Sequence, residues 1–229
     1  MERLLREREW PIACVIALIA LAPRLAYLGQ MEQHPLFLIP VAGAAMQVEA
    51  VQQLAAGESV TSPTPLYQRL FALVGTEVAR AGQAVLGAMS CALLWLIGRA
   101  VFTPGLALVA GLGAAFYGPM IFFSGELLPA TAALALGLAG LWALLWADGG
   151  AARWRFLPAG VLLGLAALCG PQGLVAIVLG AGWIGRRDGG AALVFTAGAL
   201  VVCAPLWADW QLAVGWDWAN PRLFWRGAE

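Results

Sequence analysis

The fold is decided by residues 83–146, which read QAVLGAMSCALLWLIGRAVFTPGLALVAGLGAAFYGPMIFFSGELLPATAALALGLAGLWALLW. This stretch holds three apolar runs and only two charged residues, Arg99 and Glu126, both near the breaks between runs. Long apolar runs with almost no charge are typical of transmembrane helices. Four more apolar runs lie outside this stretch. The sequence therefore predicts an all-α integral membrane protein with about seven transmembrane helices.

The composition excludes a water-soluble globule. Of the 229 residues, 62% are hydrophobic and 11% are charged, and the mean hydropathy is +0.81. Such a chain has too little polar surface to face water, so the lipid bilayer is its first expected partner. The formal net charge is zero, which gives no reason to expect nucleic acid as a partner. The four cysteines lie in or beside apolar runs without a Cys/His cluster, so we expect no metal site, no cofactor and no disulfide scaffold.

Seven spans are predicted from the apolar runs. The first is interpreted as an uncleaved anchor, because Pro23 directly follows the signal-peptidase-like residues Ala20-Leu21-Ala22. The predicted spans are Pro11–Leu28, Gln83–Phe102, Leu106–Phe123, Leu127–Trp146, Phe156–Leu168, Leu174–Gly185 and Ala191–Leu206.

The fifth and sixth spans are short, and one kinked helix over residues 156–185 is the alternative. Cytoplasmic loops are enriched in arginine, and a hairpin keeps Arg186 and Arg187 on the same side as Arg153 and the basic N-terminus. We therefore expect a hairpin that turns at residues 169–173. Residues 1–10 are then cytoplasmic, residues 11–206 form the membrane module, and the loop 30–82 and the tail 207–229 are extracytoplasmic.

The long loop is expected to carry two interfacial helices. Over residues 43–56, Ala44, Val48, Val51 and Ala55 share one stripe while Glu49, Gln52 and Gln53 share another, which predicts an amphipathic helix. Residues 66–80 predict a second helix, with Glu77 and Arg80 one turn apart. The tail is rich in tryptophan, which is typical of an aromatic belt at the headgroups; a platform for carbohydrate or lipid is the alternative.

Three motifs, QAVLGAMSC (83–91), YGPMIFFSGELLP (117–129) and GLAALCGPQ (164–172), resemble the GT-C glycosyltransferases. The most similar branch is the bacterial one related to protein O-mannosyltransferases and lipid A aminoarabinose transferases. The resemblance covers residues 24–206 and implies the seven-helix module of that family with its interfacial helices. It also implies transfer of a sugar from a polyprenyl-phosphate donor on the extracytoplasmic side, and a chain that lacks the family's C-terminal helices and soluble domain.

The positions that match the family's active site depart from its pattern. The family places an Asp in the first interfacial helix as the general base, but Gly43 and Val48 stand there and only Glu49 is acidic. A second acidic position matches Glu126. The arginine that the family uses to hold a phosphate is replaced by Gly170, and the asparagine that follows the proline is replaced by Gln172.

Each candidate residue has a functional and a structural interpretation. Glu49 is either the general base or part of a solvated helix face, and Glu126 is either a catalytic acid or base or the N-terminal cap of the fourth span. Gln172 is a candidate for binding the sugar donor. The candidate arginines for a donor phosphate, which are alternatively headgroup anchors, are Arg69, Arg80, Arg222 and Arg226. His34 is the sole histidine and is interpreted as polar loop surface.

These observations favour an eroded, catalytically inactive GT-C-like protein of the bacterial inner membrane that serves as an accessory subunit beside other membrane proteins. The alternative is a compact glycosyltransferase that uses Glu49 and Glu126 with a polyprenyl-phosphate sugar. A transporter or channel is disfavoured, because no charged residue is expected in the middle of a span and no inverted repeat is visible.

Overall fold

A computed structural model describes residues 2–32, 43–56 and 64–214, and side chains within these ranges from residue 9 to residue 204. Every regular element in the described part is a helix. The α-helices are α1 (Glu2–Met31), α2 (Gly43–Ala55), α3 (Pro65–Val101), α4 (Pro104–Ala115), α5 (Gly118–Gly125), α6 (Ala130–Asp148), α7 (Phe156–Cys169), α8 (Gln172–Gly185) and α9 (Gly189–Val214), and a short 3-10 helix covers Arg153–Arg155. The predictions for His34, Arg222, Arg226 and most of the tryptophan-rich tail lie outside the described residues.

All seven predicted apolar runs are largely helical. The expected count of seven spans is wrong, because fewer of the described helices are long and apolar enough to cross a membrane. Three described helices are long and apolar enough to cross a membrane alone: Glu9–Met31 within α1, α3 and α6. The α4–α5 pair, bent by 48°, gives a fourth if it is one broken span. Helices of 14 residues such as α7 and α8 reach only about 21 Å, less than the ~30 Å hydrocarbon core.

The second interfacial helix joins the following span without a loop, contrary to the prediction, and the two form one element with a kink inside it. Helix α3 extends from Pro65 to Val101, and its regular backbone is interrupted at Gly75, where φ is 77° and ψ is 173°. This backbone conformation is accessible almost only to glycine, because any Cβ would be strained there. The chain therefore changes direction at Gly75, five residues before Arg80, and the predicted helix boundaries there were wrong.

The predicted hairpin of α7 and α8 is confirmed, and the single kinked helix is ruled out. Gly170 is extended and ends α7, and α8 begins two residues later. The two helices touch through their backbones: a Cβ on Gly173 would lie 2.3 Å from the Ala167 nitrogen. Arg187, which follows α8, pairs with Asp148 at the end of α6. The Arg186–Arg187 turn and the turn before α7 therefore lie at the same end of the bundle.

Small residues allow α7 and α9 to pack in direct backbone contact. A Cβ on Gly160 would lie 2.0 Å from the Phe195 carbonyl oxygen, and one on Gly198 would lie 2.8 Å from that of Leu157. Gly164 makes a similar approach to Ala199. Glycines spaced four apart are typical of closely packed helices in membranes, where packing rather than water exclusion drives association. This contact joins α9 to the rest of the bundle.

Candidate functional site

Helix α2 packs against one end of the bundle through a single face. Ala44 is buried and Val48 and Val51 pack beside it, in a cluster that includes Tyr67, Phe71, Leu127 and Cys169. Glu49, Gln52 and Gln53 are exposed. The predicted amphipathic stripe is confirmed except at Ala55, which is exposed. This cluster brings together α2, the start of α3, the turn after α5 and the end of α7.

Beside this contact lies a group of polar side chains, which we call the polar cluster: Tyr27, Tyr67, Arg80, Gln83 and Glu126. The buried Gln83 amide donates to the Tyr67 hydroxyl at 2.7 Å and to the Leu128 carbonyl at 2.8 Å. Its Oε1 is buried and accepts no hydrogen bond from the described residues. Since a buried polar atom normally has a partner, this acceptor suits a water molecule or a hydroxyl group.

Glu126 belongs to the polar cluster. The sequence offered it as the N-terminal cap of the fourth span, but it does not have that role in the structure. Its backbone N–H closes the last turn of α5 by donating to the Phe122 carbonyl at 3.3 Å, and α6 starts only at Ala130. The half-buried carboxylate interacts electrostatically with Arg80 and with Tyr27. The Tyr27 ring lies so close to Gly125 that a Cβ there would meet it at 2.5 Å. The Glu126 carboxylate therefore lies within electrostatic range of one cation and one tyrosine.

Glu49 does not share this site. It lies five residues after the buried Ala44, which at 100° per residue places it about 140° around the helix from the packed face. It is exposed, and the structure gives its carboxylate no hydrogen bond or ion pair with a described residue. Val48, where the resemblance led us to expect an acid, packs against the cluster instead.

The remaining predicted site residues are only partly brought together. Arg80 is half-buried in the polar cluster, whereas Arg69 and Gln172 are exposed. The Gln172 side chain folds back over the turn, where a Cβ on Gly170 would meet its Nε2 at 2.6 Å. Of the five predicted residues, Glu126 and Arg80 therefore form a site, and Glu49, Arg69 and Gln172 stand apart from it.

Arg24 was not predicted from the sequence, and it is completely buried inside the first candidate span. Its guanidinium donates to the Ala20 carbonyl at 2.6 Å, to the Ala115 carbonyl at 3.3 Å and to the Cys91 sulfur at 3.5 Å. Arg24 lies inside the predicted span Pro11–Leu28, four residues before its end, so a buried charge is present near the edge of that span although none was expected in its middle. The signal was present, because Arg24 follows Pro23 inside an apolar run and an arginine there needs protein partners.

The opposite end of the bundle is held by ion pairs between arginines and acids. Arg153 pairs with Asp188 at 2.7 Å and Arg187 with Asp148 at 3.0 Å, so both pairs join the turn after α6 to the turn after α8. Asp188 also accepts hydrogen bonds from the backbone at the start of α9. The bond from Arg153, with these backbone bonds, lowers the pKa of the Asp188 carboxyl below its usual value.

Arginines at this end also stack on tryptophans. Arg155 lies 3.8 Å above the Trp146 ring and Arg187 lies 4.6 Å above the Trp183 ring. At the start of α1, Glu9 pairs with Arg99 at 3.4 Å, and Trp10 contacts Trp142 of α6. Exposed stacks of this kind stabilise weakly. Together they place the arginine-rich turns and the N-terminal part of α1 at one end.

No protein-family model, curated protein or solved structure matches the chain. Among the described residues, no three His, Cys, Asp or Glu side chains gather in a way that could hold a metal ion. The resemblance to GT-C enzymes therefore stays a prediction, and the site is characterised by its own geometry: one acid, one cation, two tyrosines and a buried amide at one end of an apolar helix bundle.

Proposed function

We propose that this protein is a GT-C-like membrane protein without transferase activity, which acts as an accessory subunit of a larger membrane complex. The observation that carries the proposal is the packed face of α2. This face points toward the end of the bundle that holds the polar cluster, and it presents Ala44, Val48 and Val51, none of which accepts a proton. A general base must be within reach of the proton that it removes, and Glu49 faces away.

Within the described part of the chain, the site also lacks a cation that is well placed to bind a phosphate. Gly170 occupies the turn position where an arginine would hold a donor phosphate in GT-C enzymes, and the neighbouring Gln172 is neutral and exposed. Arg80 is a cation in the polar cluster, but it already interacts with Glu77 and Glu126. Two acids beside one arginine disfavour an additional anion through like-charge repulsion. The polar cluster is therefore better suited to a structural role than to holding a phosphate.

The proposed orientation in the bacterial inner membrane follows from the two ends of the bundle. Arg99, Arg153, Arg155, Arg186 and Arg187 are at the ion-pair end, and cytoplasmic faces are enriched in arginine. The ion-pair end is then cytoplasmic and the polar cluster with α2 is extracytoplasmic. In this proposal, neighbouring helices of the complex complete the crossings of α7 and α8, which are short in isolation.

The part of α3 around Gly75 presents exposed apolar residues. Residues 72–78, on both sides of the Gly75 break, are exposed all round, and Leu73 is 81% exposed. A helix that is exposed on every side and still carries leucine and valine has an apolar face without a neighbour. We assign this segment to contact with another membrane subunit.

The assay that tests the proposal incubates the purified full-length protein with a panel of polyprenyl-phosphate sugars and measures sugar release or transfer. We expect no turnover from wild type, from Glu126→Gln or from Glu49→Gln. Turnover by wild type that is lost in Glu126→Gln and kept in Glu49→Gln would overturn the proposal, and it would identify Glu126 as the base of an active enzyme.

One observation favours that second function, a compact glycosyltransferase. Glu126 and Arg80 lie together at a helix end next to two tyrosines, and the buried Gln83 Oε1 lacks a donor among the described residues. Such an arrangement accepts hydroxyl groups, as a sugar presents them. In this case Glu126 would act alone, since Glu49 is turned away, and the glutamine variants of the two acids separate the two functions directly.

The partner surface is tested with a photo-reactive residue introduced at Leu73 and, as a matched control, at Leu193 on α9, which is 73% exposed. In native membranes we expect the residue at 73 to link to one defined protein and the residue at 193 to link to lipid. Links to lipid from both positions would contradict the subunit proposal.

A further inference from the structure

A long apolar groove runs between α6 and α8, with α7 as its floor. Its volume is about 450 Å³. Both outer helices pack on α7 but approach each other much less. The groove is lined along one face of α6, and among its lining residues Gln172 alone is polar. The lining on α6 includes Ala130, Leu134, Gly137, Leu138, Leu141 and Leu144.

The dimensions of the groove match one hydrocarbon chain. From Ala130 to Leu144 the groove extends about 21 Å at 1.5 Å per residue, more than half of the ~30 Å hydrocarbon core of a bilayer. Its volume of about 450 Å³ is many times the ~30 Å³ liquid volume of a water-sized group such as a methylene. The groove therefore has room for one acyl chain along this length.

One end of the groove carries its polar lining group. Gln172 begins α8, and its amide lies beside the turn that ends α7. An amide both donates and accepts hydrogen bonds, which suits the ester or phosphate oxygens of a lipid. Lipid tails are as apolar as leucine, so hydrophobicity gives no preference for the groove over the bilayer. Retention of a lipid must come from close packing in the groove and from this polar end.

We propose that the groove between α6 and α8 holds one acyl chain of a resident phospholipid, with its ester or headgroup region at Gln172. The lipid fills the gap that α7 leaves between its two neighbours and so joins the short helix α8 to the membrane-spanning helix α6. This inference is independent of the proposed function, because it requires neither a sugar nor a partner subunit.

The structure offers a groove-filling variant with a matched control. A Cβ on Gly137 meets no heavy atom within 4 Å, so Gly137→Leu places its side chain in the groove without displacing a neighbour. Gly113 on α4 is equally unobstructed and lies outside the groove. Gly113→Leu therefore controls for the effect of a new leucine on folding and on general lipid binding.

The test is native mass spectrometry of the full-length protein purified from membranes in mild detergent. We expect wild type and Gly113→Leu to retain one phospholipid per chain, Gly137→Leu to retain at least tenfold less, and Gln172→Ala to release the lipid at lower collision energy. All variants must elute as wild type on size exclusion; if Gly137→Leu does not, Gly137→Val serves in its place.

Three results would overturn the inference. The first is the absence of bound phospholipid from wild type, and the second is equal retention by Gly137→Leu and wild type. The third is retention of a polyprenyl phosphate in place of a phospholipid.

Discussion

Arg24 shows how one buried side chain satisfies the end of a helix at a break. Ala115 is the last residue of α4, and the residue four positions on is Pro119, which has no N–H to continue the helical hydrogen bonding. The Arg24 guanidinium donates to the Ala115 carbonyl and places a positive charge at the C-terminal end of α4, where the helix dipole favours a cation. Gly87 allows this arrangement, since a Cβ there would lie 2.8 Å from the Arg24 Nε.

The variant Arg24→Met is expected to lower the stability of the protein. It removes the side-chain donor to the buried Ala115 carbonyl, and an unsatisfied carbonyl costs about 1–3 kcal/mol. Thermal unfolding in detergent measures the effect, with the exposed Arg186→Met as the control that stays near wild type. A variant at least as stable as wild type would contradict the structural role. It would indicate that the buried charge is kept for a ligand, because replacing such a charge with a hydrophobe is often neutral or stabilising.

At the scale of helices, the contact between α7 and α9 depends on the absence of side chains. The variant Gly160→Ala inserts a Cβ at 2.0 Å from the Phe195 carbonyl, and rigid backbone has to move. We expect a loss of about 1–3 kcal/mol, as for other overpacked interiors. The control Gly137→Ala meets nothing within 4 Å and gains up to about 1 kcal/mol from helix propensity. Equal unfolding temperatures for the two variants would contradict this packing.

The pairing of Asp188 with Arg153 predicts a pH dependence at the ion-pair end. Asp188 has a lowered pKa in the folded protein, so its stabilising effect is complete above the pKa of an unfolded Asp, about 3.9. The effect is lost as the pH falls through the lower folded value. Asp188→Asn keeps an acceptor for the start of α9 but removes the charge. Thermal unfolding should show the variant less stable than wild type at neutral pH, with a difference that begins to shrink below about pH 4 and vanishes only below the lowered folded pKa of Asp188; a constant difference would refute the ion pair.

The helices were more predictable than their lengths and boundaries. Apolar runs identify most of the described helices, and the amphipathic pattern of residues 43–56 identifies α2, because the hydrophobic pattern is local. The short 3-10 helix Arg153–Arg155 was not predicted. The arginine-bearing turns identify the α7–α8 hairpin. The Gly75 break and the bend after Ala115 were missed because glycine is common in apolar helices and does not by itself mark a break. Apolar composition likewise does not distinguish a 14-residue packed helix from a membrane span.

The candidate site was less predictable, since it depends on which side chains the fold brings together. The sequence identified Glu126 and Arg80 as candidates, and in the structure both belong to the polar cluster. Of the two interpretations of Glu49, its exposure agrees with the solvated helix face, since one step along a helix turns a side chain by about 100° away from Val48. Tyr27 lies on α1, and Tyr67 and Gln83 lie on α3. Their proximity results from tertiary packing, which a local sequence pattern does not predict.

For the whole molecule, the proposed function requires the polar cluster and the ion-pair end to face opposite sides of the membrane. The direct measurement is cysteine accessibility in intact cells, with single cysteines at Glu49, Gln172 and Arg186 in a variant that lacks the four native cysteines. We expect positions 49 and 172 to react with an impermeant maleimide from outside, and position 186 to react only after permeabilisation. Labelling of position 186 from outside, or protection of position 49 while 172 reacts, would contradict the orientation and the function proposed from it.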